Sequence, residues 1–452
     1  MSASEHKSRL AVIAGLGRTG LACAKYLHAR GWRIAVTDTR AEPPELAALH
    51  ALDPGIPVRL GGLDASLLEG AALAVASPGL PLADPFFAQA RRRGIEVAGD
   101  IELFARAAAR PVAGITGTNG KSTVTTLAGC MAERAGRAAR VGGNLGKSAL
   151  DLLPEPGAQE PDSAVYVLEL SSFQLETTQS LHLAAAAVLN VSPDHLDRYA
   201  TIEDYAAAKA RIFAHCGTAV VNLDDPRVAA MPRPGQAVSS FSLRADAGAD
   251  FCLAPVAGEP WLTRRGEPLM PLASLKLKGL HNAANALAAL ALGEALGLAL
   301  APMLAELERF TGLPHRSEFV AEVAGVTYID DSKGTNVGAT VAAVAGLSGS
   351  LVMILGGDGK GQDFAPLAAA LRGRTRHAVL IGRDAAAVAR ALEGVTTLER
   401  CETLEVAVIA AARAARRGDT VLLSPACASL DMFRDYAHRG RVFAQSVRGL
   451  AA

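Results

Sequence analysis

The chain has 452 residues, enough for two to four domains. Half of the residues are hydrophobic and 20% are charged, with Lys+Arg 45 against Asp+Glu 45. So even a balance argues against a non-specific nucleic-acid partner or an acidic membrane surface, and still leaves room for a local basic pocket for small phosphorylated ligands. The six cysteines (23, 130, 216, 252, 401, 427) show no C-x-x-C pair and no close Cys/His spacing. That argues against a zinc site or a disulfide framework and fits a reducing cytoplasm.

The opening MSASEHKSRL is polar and runs straight into a strand pattern, unlike a signal peptide. LAVIAG reads as a strand, TGLACAKYLHARG as a helix, RIAVTD as a strand and ALAVASPG as a strand ending in a Pro-Gly turn. This alternation implies a parallel sheet. Gly15-x-Gly17-x-x-Gly20 joins the first strand to the first helix, and Asp38 ends the next strand. That is the setting of a dinucleotide fingerprint, in which glycines admit a pyrophosphate to a helix N-terminus and the acid binds a ribose hydroxyl. The residues leave three readings open: an NAD-type site, a site for another nucleotide diphosphate, or a tight turn.

A second α/β unit opens at PVAGITG and leads into GTNGKST. A Walker A loop has Gly, four residues, then Gly-Lys-Ser/Thr. Gly120, Lys121 and Ser122 supply the end, but position 115 is Ile, so the strict pattern fails. The chemistry still fits: N–H groups around Thr118 to Gly120 can form an anion nest, Lys121 can reach β/γ oxygens, and Ser122 can ligate Mg²⁺. AVYVLELSS, AAAVLNVS and GTAVVNLDD read as further strands. Glu169 ends one of them, either as a Mg²⁺ ligand or as a turn-capping acid. Asp194 and His195 follow another, at the strand edge where ligands bind in such sheets. Lys209, by spacing alone, is an ordinary surface lysine on a helix. Met231 to about Lys278 is punctuated by Pro and Gly and reads as a small β addition. A helical segment starts near Asn282. Within ALAALALGEALGLALAPMLAEL, Glu294, Gly297 and Pro302 argue for helix, turn and second helix rather than a membrane span.

A third unit begins near TGLPHRSEF, with strands VTYIDDS, LVMILGG, HAVLIG and TVLLSPA. The expected fold class is α/β, with three domains in series: a Rossmann-like domain over 1–99, a P-loop ATPase-type domain over 100–312 and a Rossmann-like domain over 313–452.

GITGTNGKST, LELSSFQLETT, LNVSPDHLDRY, YAAAKARIF, LKGLHNAANALAALA, TGLPHRSEF, DDSKGTN, GGDGKGQDF and SPACASLDMF occur in this order. Together they resemble the Mur ligase family over nearly the whole chain, and SSFQLETT and SPACASLDMF favour its D-glutamate-adding branch. The resemblance implies a cytoplasmic, monomeric ligase of peptidoglycan precursor synthesis. It would join D-glutamate to UDP-N-acetylmuramoyl-L-alanine through an acyl phosphate, using ATP, two Mg²⁺ ions and CO₂ held as a lysine carbamate. The first glycine-rich loop would then hold UDP rather than NAD.

By motif position, the resemblance places Gly117, Thr118, Asn119, Gly120, Lys121, Ser122, Thr123, Asn282, Asn285, Arg316 and Asp331 at ATP. It places Ser122, Glu169, His195 and carbamylated Lys209 at the metals. Arg18, Thr19, Asp38, Thr39, Arg40 and Asn144 fall at the uridine substrate, with Ser171 and Gln174 near its muramoyl part. Lys333, Thr335, Lys360, Ser429 and Tyr436 fall at D-glutamate, a dicarboxylate needing two anion subsites. Lys121, His195 and Lys209 are the implied catalytic set. The rival readings are a sibling Mur or folylpolyglutamate-type ligase, an NAD-dependent oxidoreductase and a non-catalytic nucleotide-binding regulator.

Overall fold

The computed structural model describes residues 9–277, 279–347 and 349–450. The polar lead-in 1–8 and Lys278 lie outside the described residues. Three sheets follow one another along the chain. The first contains β1 (Leu10–Ala14), β2 (Arg33–Asp38), β3 (Val58–Leu60), β4 (Ala71–Ala76) and β5 (Glu96–Ala98) in the order β3-β2-β1-β4-β5, all parallel. This is the order of a Rossmann-type half with its switch point beside β1, where the glycine-rich loop lies.

The central sheet holds β6 (Val112–Thr116), β7 (Ala138–Gly143), β8 (Ala164–Glu169), β9 (Leu183–Val188), β10 (Cys216–Asn222), β11 (Ala237–Ser242), β12 (Phe251–Val256), β13 (Glu259–Arg264) and β14 (Glu267–Pro271). Its order is β14-β13-β12-β11-β10-β9-β6-β8-β7. The small β addition expected after Met231 forms β11 to β14. β11 pairs parallel with β10 and β12 parallel with β11, so the segment extends the central sheet before turning antiparallel at β13 and β14. Every residue of β6 and β8 is buried, as expected for parallel strands covered on both faces. The apolar stretch forms helix Leu280–Ala295, a turn at Gly297 and helix Leu300–Leu307. The longer of these helices packs with the Lys121–Arg134 helix in one core. Among the described residues no helix is long and apolar enough to cross a membrane.

The third sheet holds β15 (Glu318–Val323), β16 (Val326–Asp330), β17 (Leu351–Gly356), β18 (Thr375–Ile381), β19 (Thr397–Arg400) and β20 (Thr420–Leu423), ordered β15-β16-β20-β17-β18-β19. It is parallel except for the antiparallel edge strand β15. The short strands β3, β5, β7, β15 and β19 escaped the sequence reading because they are partly exposed edge or near-edge pieces without a long apolar run. The first two units share one core, in which Phe104 meets Tyr166 edge-on with ring centres 5.0 Å apart.

Candidate active site

Three loops converge at the C-terminal edge of the central sheet. The first leaves β6 at Thr116 and enters the Lys121–Arg134 helix. Gly120 has φ +83°, and a Cβ there would lie 2.4 Å from Asn285 Oδ1. The backbone therefore favours glycine, and a larger residue would also have to displace the Asn285 amide. Two of the N–H groups expected in the nest are already engaged. Thr118 N–H donates to the Asn190 carbonyl at 2.9 Å, and Asn119 N–H to Asn190 Oδ1 at 2.8 Å. With these donors engaged, an anion would meet the helix's first turn, Lys121 to Thr123, whose N–H groups have no intrahelical acceptor. The Ser122 hydroxyl accepts from Arg316 Nη2 at 2.9 Å.

Lys121 Nζ donates to the carbonyls of Gly117 at 2.9 Å and Thr118 at 2.8 Å. Lys209 is not the surface lysine that spacing suggested. It is 1% exposed, because the Ile202–Ala210 helix buries its Tyr205, Ala208 and Lys209 face. Its Nζ donates to the Gly117 carbonyl at 2.9 Å and lies 4.3 Å from the Tyr205 ring centre. Burial, helped by the nearby Lys121 ammonium, holds the Lys209 amine well below the usual lysine range.

Glu169 closes β8 and is buried. Asn144 Nδ2 donates to its Oε1 at 2.8 Å, while its Oε2 is buried without a hydrogen-bond partner. Burial pushes this carboxyl up, but the Lys121 ammonium, the nearby Ser122 hydroxyl and the Asn144 amide bring its net pKa below the usual range. An ionised, unpartnered oxygen in the interior calls for a cation. His195 sits beyond β9 with φ 55°. Burial lowers its pKa despite the neighbouring Asp194, favouring the neutral imidazole that ligates metals. Asp194 Oδ2 accepts from Asn336 Nδ2 at 3.2 Å, and its Oδ1 lies 3.4 Å from Lys360 Nζ. This donor set fits a hard divalent cation such as Mg²⁺.

Asn119, Gly120, Thr123, Asn282 and Asn285 line a cavity of about 530 Å³ together with Arg316, Asp331 and Lys333 from the third unit. Asn285 Nδ2 donates to Asn282 Oδ1 at 3.1 Å. Asp331 is pushed up to about 7 by burial, against the opposing Ser424 hydroxyl and Arg316. Lys333 is pushed down to about 7, also chiefly by burial, and its Nζ lies 3.7 Å from the Tyr436 ring centre. Thr335 and Ser429 occupy the adjacent loops after β16 and β20, which are tied by the Ala426 N–H donating to the Gly334 carbonyl. Lys360 is drawn instead toward Asp194.

In the first unit, Asp38 is a brace. Its Oδ2 accepts from Leu16 N–H at 2.6 Å and Arg40 Nη2 at 2.7 Å, and its Oδ1 from Arg40 N–H at 2.8 Å and Nε at 2.9 Å. Burial pushes this carboxyl up, but these donors outweigh it and hold it at about 2. Thr39 is exposed beside this brace. Arg18 Nη2 donates to the Gly146 carbonyl at 3.2 Å, and Arg18 and Thr19 line a cleft of about 180 Å³ facing Gly146 and Ser148. Asn144, expected at the uridine substrate, reaches Glu169 instead of the first unit. Ser171 and Gln174 form a capping box on the Ser172–Glu176 helix, and Gln174 Nε2 donates to Asp100 Oδ2 at 2.9 Å.

Three family models match in series: the Mur ligase MurD-like N-terminal domain over 9–99, the Mur ligase middle domain over 115–293 and the Mur ligase glutamate ligase domain over 315–427. The UDP-N-acetylmuramoylalanine--D-glutamate ligase of Nitrosococcus oceani is 53% identical over 439 residues, covering 97% of this chain and 96% of that one. The chain belongs to the Mur ligase family. The ligase of the same name from Chromobacterium violaceum is 52% identical over 454 residues, covering 99% of each chain. Among solved structures, the Mur ligase fold recurs in the UDP-N-acetylmuramate-alanine ligase MurC of Thermotoga maritima, with TM-score 0.62, 19% identity and 98% and 99% coverage of the two chains. It recurs also in MurF of Acinetobacter baumannii, with TM-score 0.60, 19% identity and 99% and 92% coverage.

Membership sets aside the nicotinamide reading of the first loop, and the fully engaged Asp38 carboxylate agrees with that. Three residues of this Mur ligase site were not singled out in the sequence, and two of them lay inside the quoted motifs. Asn190 precedes VSPDH and organises the phosphate loop. Asn336 ends DDSKGTN, caps the Val337–Ala345 helix and reaches Asp194. Arg439 is buried and donates to Ser332 and to the Cys427 carbonyl, joining the loops after β16 and β20. For Asn190 and Asn336 the only signal in the sequence was a polar residue inside a motif, and Arg439 lies beyond the quoted motifs.

Proposed function

We propose that this Mur ligase adds D-glutamate to UDP-N-acetylmuramoyl-L-alanine at the expense of ATP, in cytoplasmic peptidoglycan precursor synthesis. The observation that carries the reading is the cavity of about 530 Å³ in which the phosphate loop meets Arg316, Asp331 and Lys333. The two D-glutamate ligases at 53% and 52% identity support the choice of amino acid. The enzyme works as a monomer, with domains over 1–99, 100–312 and 313–452 for uridine substrate, ATP and amino acid.

An amide does not form from a free carboxylate in water without activation. The L-alanyl carboxylate attacks the ATP γ-phosphorus and ADP leaves, giving an acyl phosphate. The D-glutamate amine then attacks the acyl carbon, and phosphate leaves from the tetrahedral intermediate. The protein positions the partners and offsets charge. Lys121 swings from its loop carbonyls to the phosphates. Asn282 and Asn285 meet the adenine side, with Arg316 and Asp331 opposite. Lys333, Thr335, Ser429 and Tyr436 receive the glutamate carboxylates, and Lys360 joins them on leaving Asp194. Arg18, Thr19, Thr39 and Arg40 meet the uridine nucleotide.

Glu169, His195, Ser122 and a carbamylated Lys209 would hold two Mg²⁺ ions, which supply charge neutralisation between carboxylate and triphosphate. The unpartnered Glu169 Oε2 and the depressed Lys209 amine support this assignment. Phosphate release with ATP, Mg²⁺, UDP-N-acetylmuramoyl-L-alanine and a panel of amino acids tests the function. Release is expected with D-glutamate. Release that prefers another amino acid would assign a sibling activity, and release without the nucleotide substrate would overturn the reading.

A further inference from the structure

Arg198 and Glu176 lie in DHLDRY and SSFQLETT, and the chemistry above uses neither. We propose that Arg198 is a positioning residue that ties the loop carrying His195 to the first domain, so that docking of the uridine nucleotide is transmitted to the metal-holding imidazole. The inference rests on the ligase reading above. Arg198 Nη1 donates to the Pro78 carbonyl at 2.8 Å, across to the first unit. Pro78 follows Ser77, whose Oγ donates to the Gly15 carbonyl at 2.8 Å. The Pro78 carbonyl therefore belongs to a loop fastened to the first glycine of the nucleotide cradle.

The rest of the guanidinium faces the Ser172–Glu176 helix beside the metal loop. Its Nη2 donates to Glu176 Oε2 at 2.8 Å, and Glu176 Oε1 accepts from the Tyr199 hydroxyl at 2.6 Å. Its central carbon lies 4.1 Å from the Phe173 ring centre, and Phe173 meets the His195 ring edge-on with centres 4.8 Å apart. The N–H groups of Arg198 and Tyr199 both donate to the His195 carbonyl, at 2.9 and 3.0 Å. This turn holds His195 in its left-handed conformation. One residue thus contacts the nucleotide cradle's neighbour and the ring against which His195 rests through its side chain, and the His195 carbonyl through its backbone. A guanidinium can fork and stack at once, whereas a lysine ammonium cannot.

The test uses the full chain as wild type, Arg198→Ala, Arg198→Lys and Glu176→Gln. Mn²⁺ binding is followed by electron paramagnetic resonance in the presence of ADP, with and without UDP-N-acetylmuramoyl-L-alanine, alongside kcat, KM and thermal unfolding. In wild type the nucleotide sugar should tighten Mn²⁺ binding by about fivefold or more, the range of ordinary coupling. Arg198→Ala and Arg198→Lys should abolish this tightening and lower kcat by roughly tenfold or more, while KM for ATP stays within about threefold. Glu176→Gln, which keeps the Pro78 and Phe173 contacts, should retain most of the coupling. Undiminished coupling in Arg198→Ala, or full rescue by Arg198→Lys, would overturn the proposal. Should Arg198→Ala fail to fold, Arg198→Lys decides alone. Absence of ligation in wild type would reject the function, while the Mn²⁺ response would still decide the role of Arg198.

Discussion

Lys121 and Lys209 donate to the same atom: the Gly117 carbonyl oxygen accepts each Nζ at 2.9 Å. Two unit charges ~4–6 Å apart repel by roughly 3–4 kcal/mol at an effective dielectric of ~20. Burial, reinforced by this repulsion, favours a neutral Lys209, the form that can take up CO₂.

Lys209→Ala should therefore lower ligation by about a hundredfold or more, the scale of losing a charged group that acts in the transition state. Bicarbonate should not restore it, but acetate should in part, by placing carboxylate oxygens near Glu169 and His195. Lys209→Arg should fail as well, since a guanidinium stays cationic and takes up no CO₂. Phosphate release checks all three. Near-normal turnover in Lys209→Arg would exclude the carbamate.

Lys121→Ala should abolish ligation yet leave uridine-substrate affinity, measured by calorimetry, nearly unchanged. The proposed ATP and uridine sites lie on different sheets. The same variant removes a charge that adds to burial in depressing the Lys209 amine, so that amine should titrate somewhat higher. A ¹³C carbamate signal from labelled bicarbonate at neutral pH should weaken in Lys121→Ala. A stronger signal would show that Lys121 does not control Lys209.

Asp331→Asn should raise the thermal midpoint of the free protein near pH 7.5, and the gain should shrink toward pH 4. Burial raises the folded pKa of Asp331 to about 7. For a raised acid, stability is fully present below the unfolded pKa near 4 and is lost as pH rises through about 7. The linked loss is at most ~4 kcal/mol, which asparagine avoids while losing affinity for ATP. A midpoint difference that does not vary with pH would contradict the assigned shift.

Domain closure should compact the protein when an ATP analogue and the uridine substrate bind together, as read by small-angle scattering. The expected hinges are residues 98–101 and 311–314. Gly312 has φ +104°, a conformation that L side chains resist. Gly312→Ala should cost about 1 kcal/mol or more in stability and blunt the compaction. Unchanged scattering in wild type with both ligands would argue against closure.

Sequence alone determined the elements whose signals are local. Apolar runs gave the buried strands β1, β2, β4, β6, β8 and β9, because parallel strands covered on both faces need no polar alternation. GTNGKST disclosed a phosphate loop, because strand, glycines, lysine and hydroxyl are contiguous. Order and spacing of the motifs carried the family. Tertiary structure alone decided what depends on segments meeting. Lys209 is buried only because its helix lies on a loop formed 92 residues earlier, and Asn119 faces Asn336 across 217 residues. The N–H groups of Thr118 and Asn119 are spent on Asn190, Asp38 on Leu16 and Arg40, and Arg198 on Pro78. In each case a polar group's partner is set by which loops share a sheet edge. Periodicity along the chain carries no record of that, because hydrogen bonding in the interior is settled by proximity after folding.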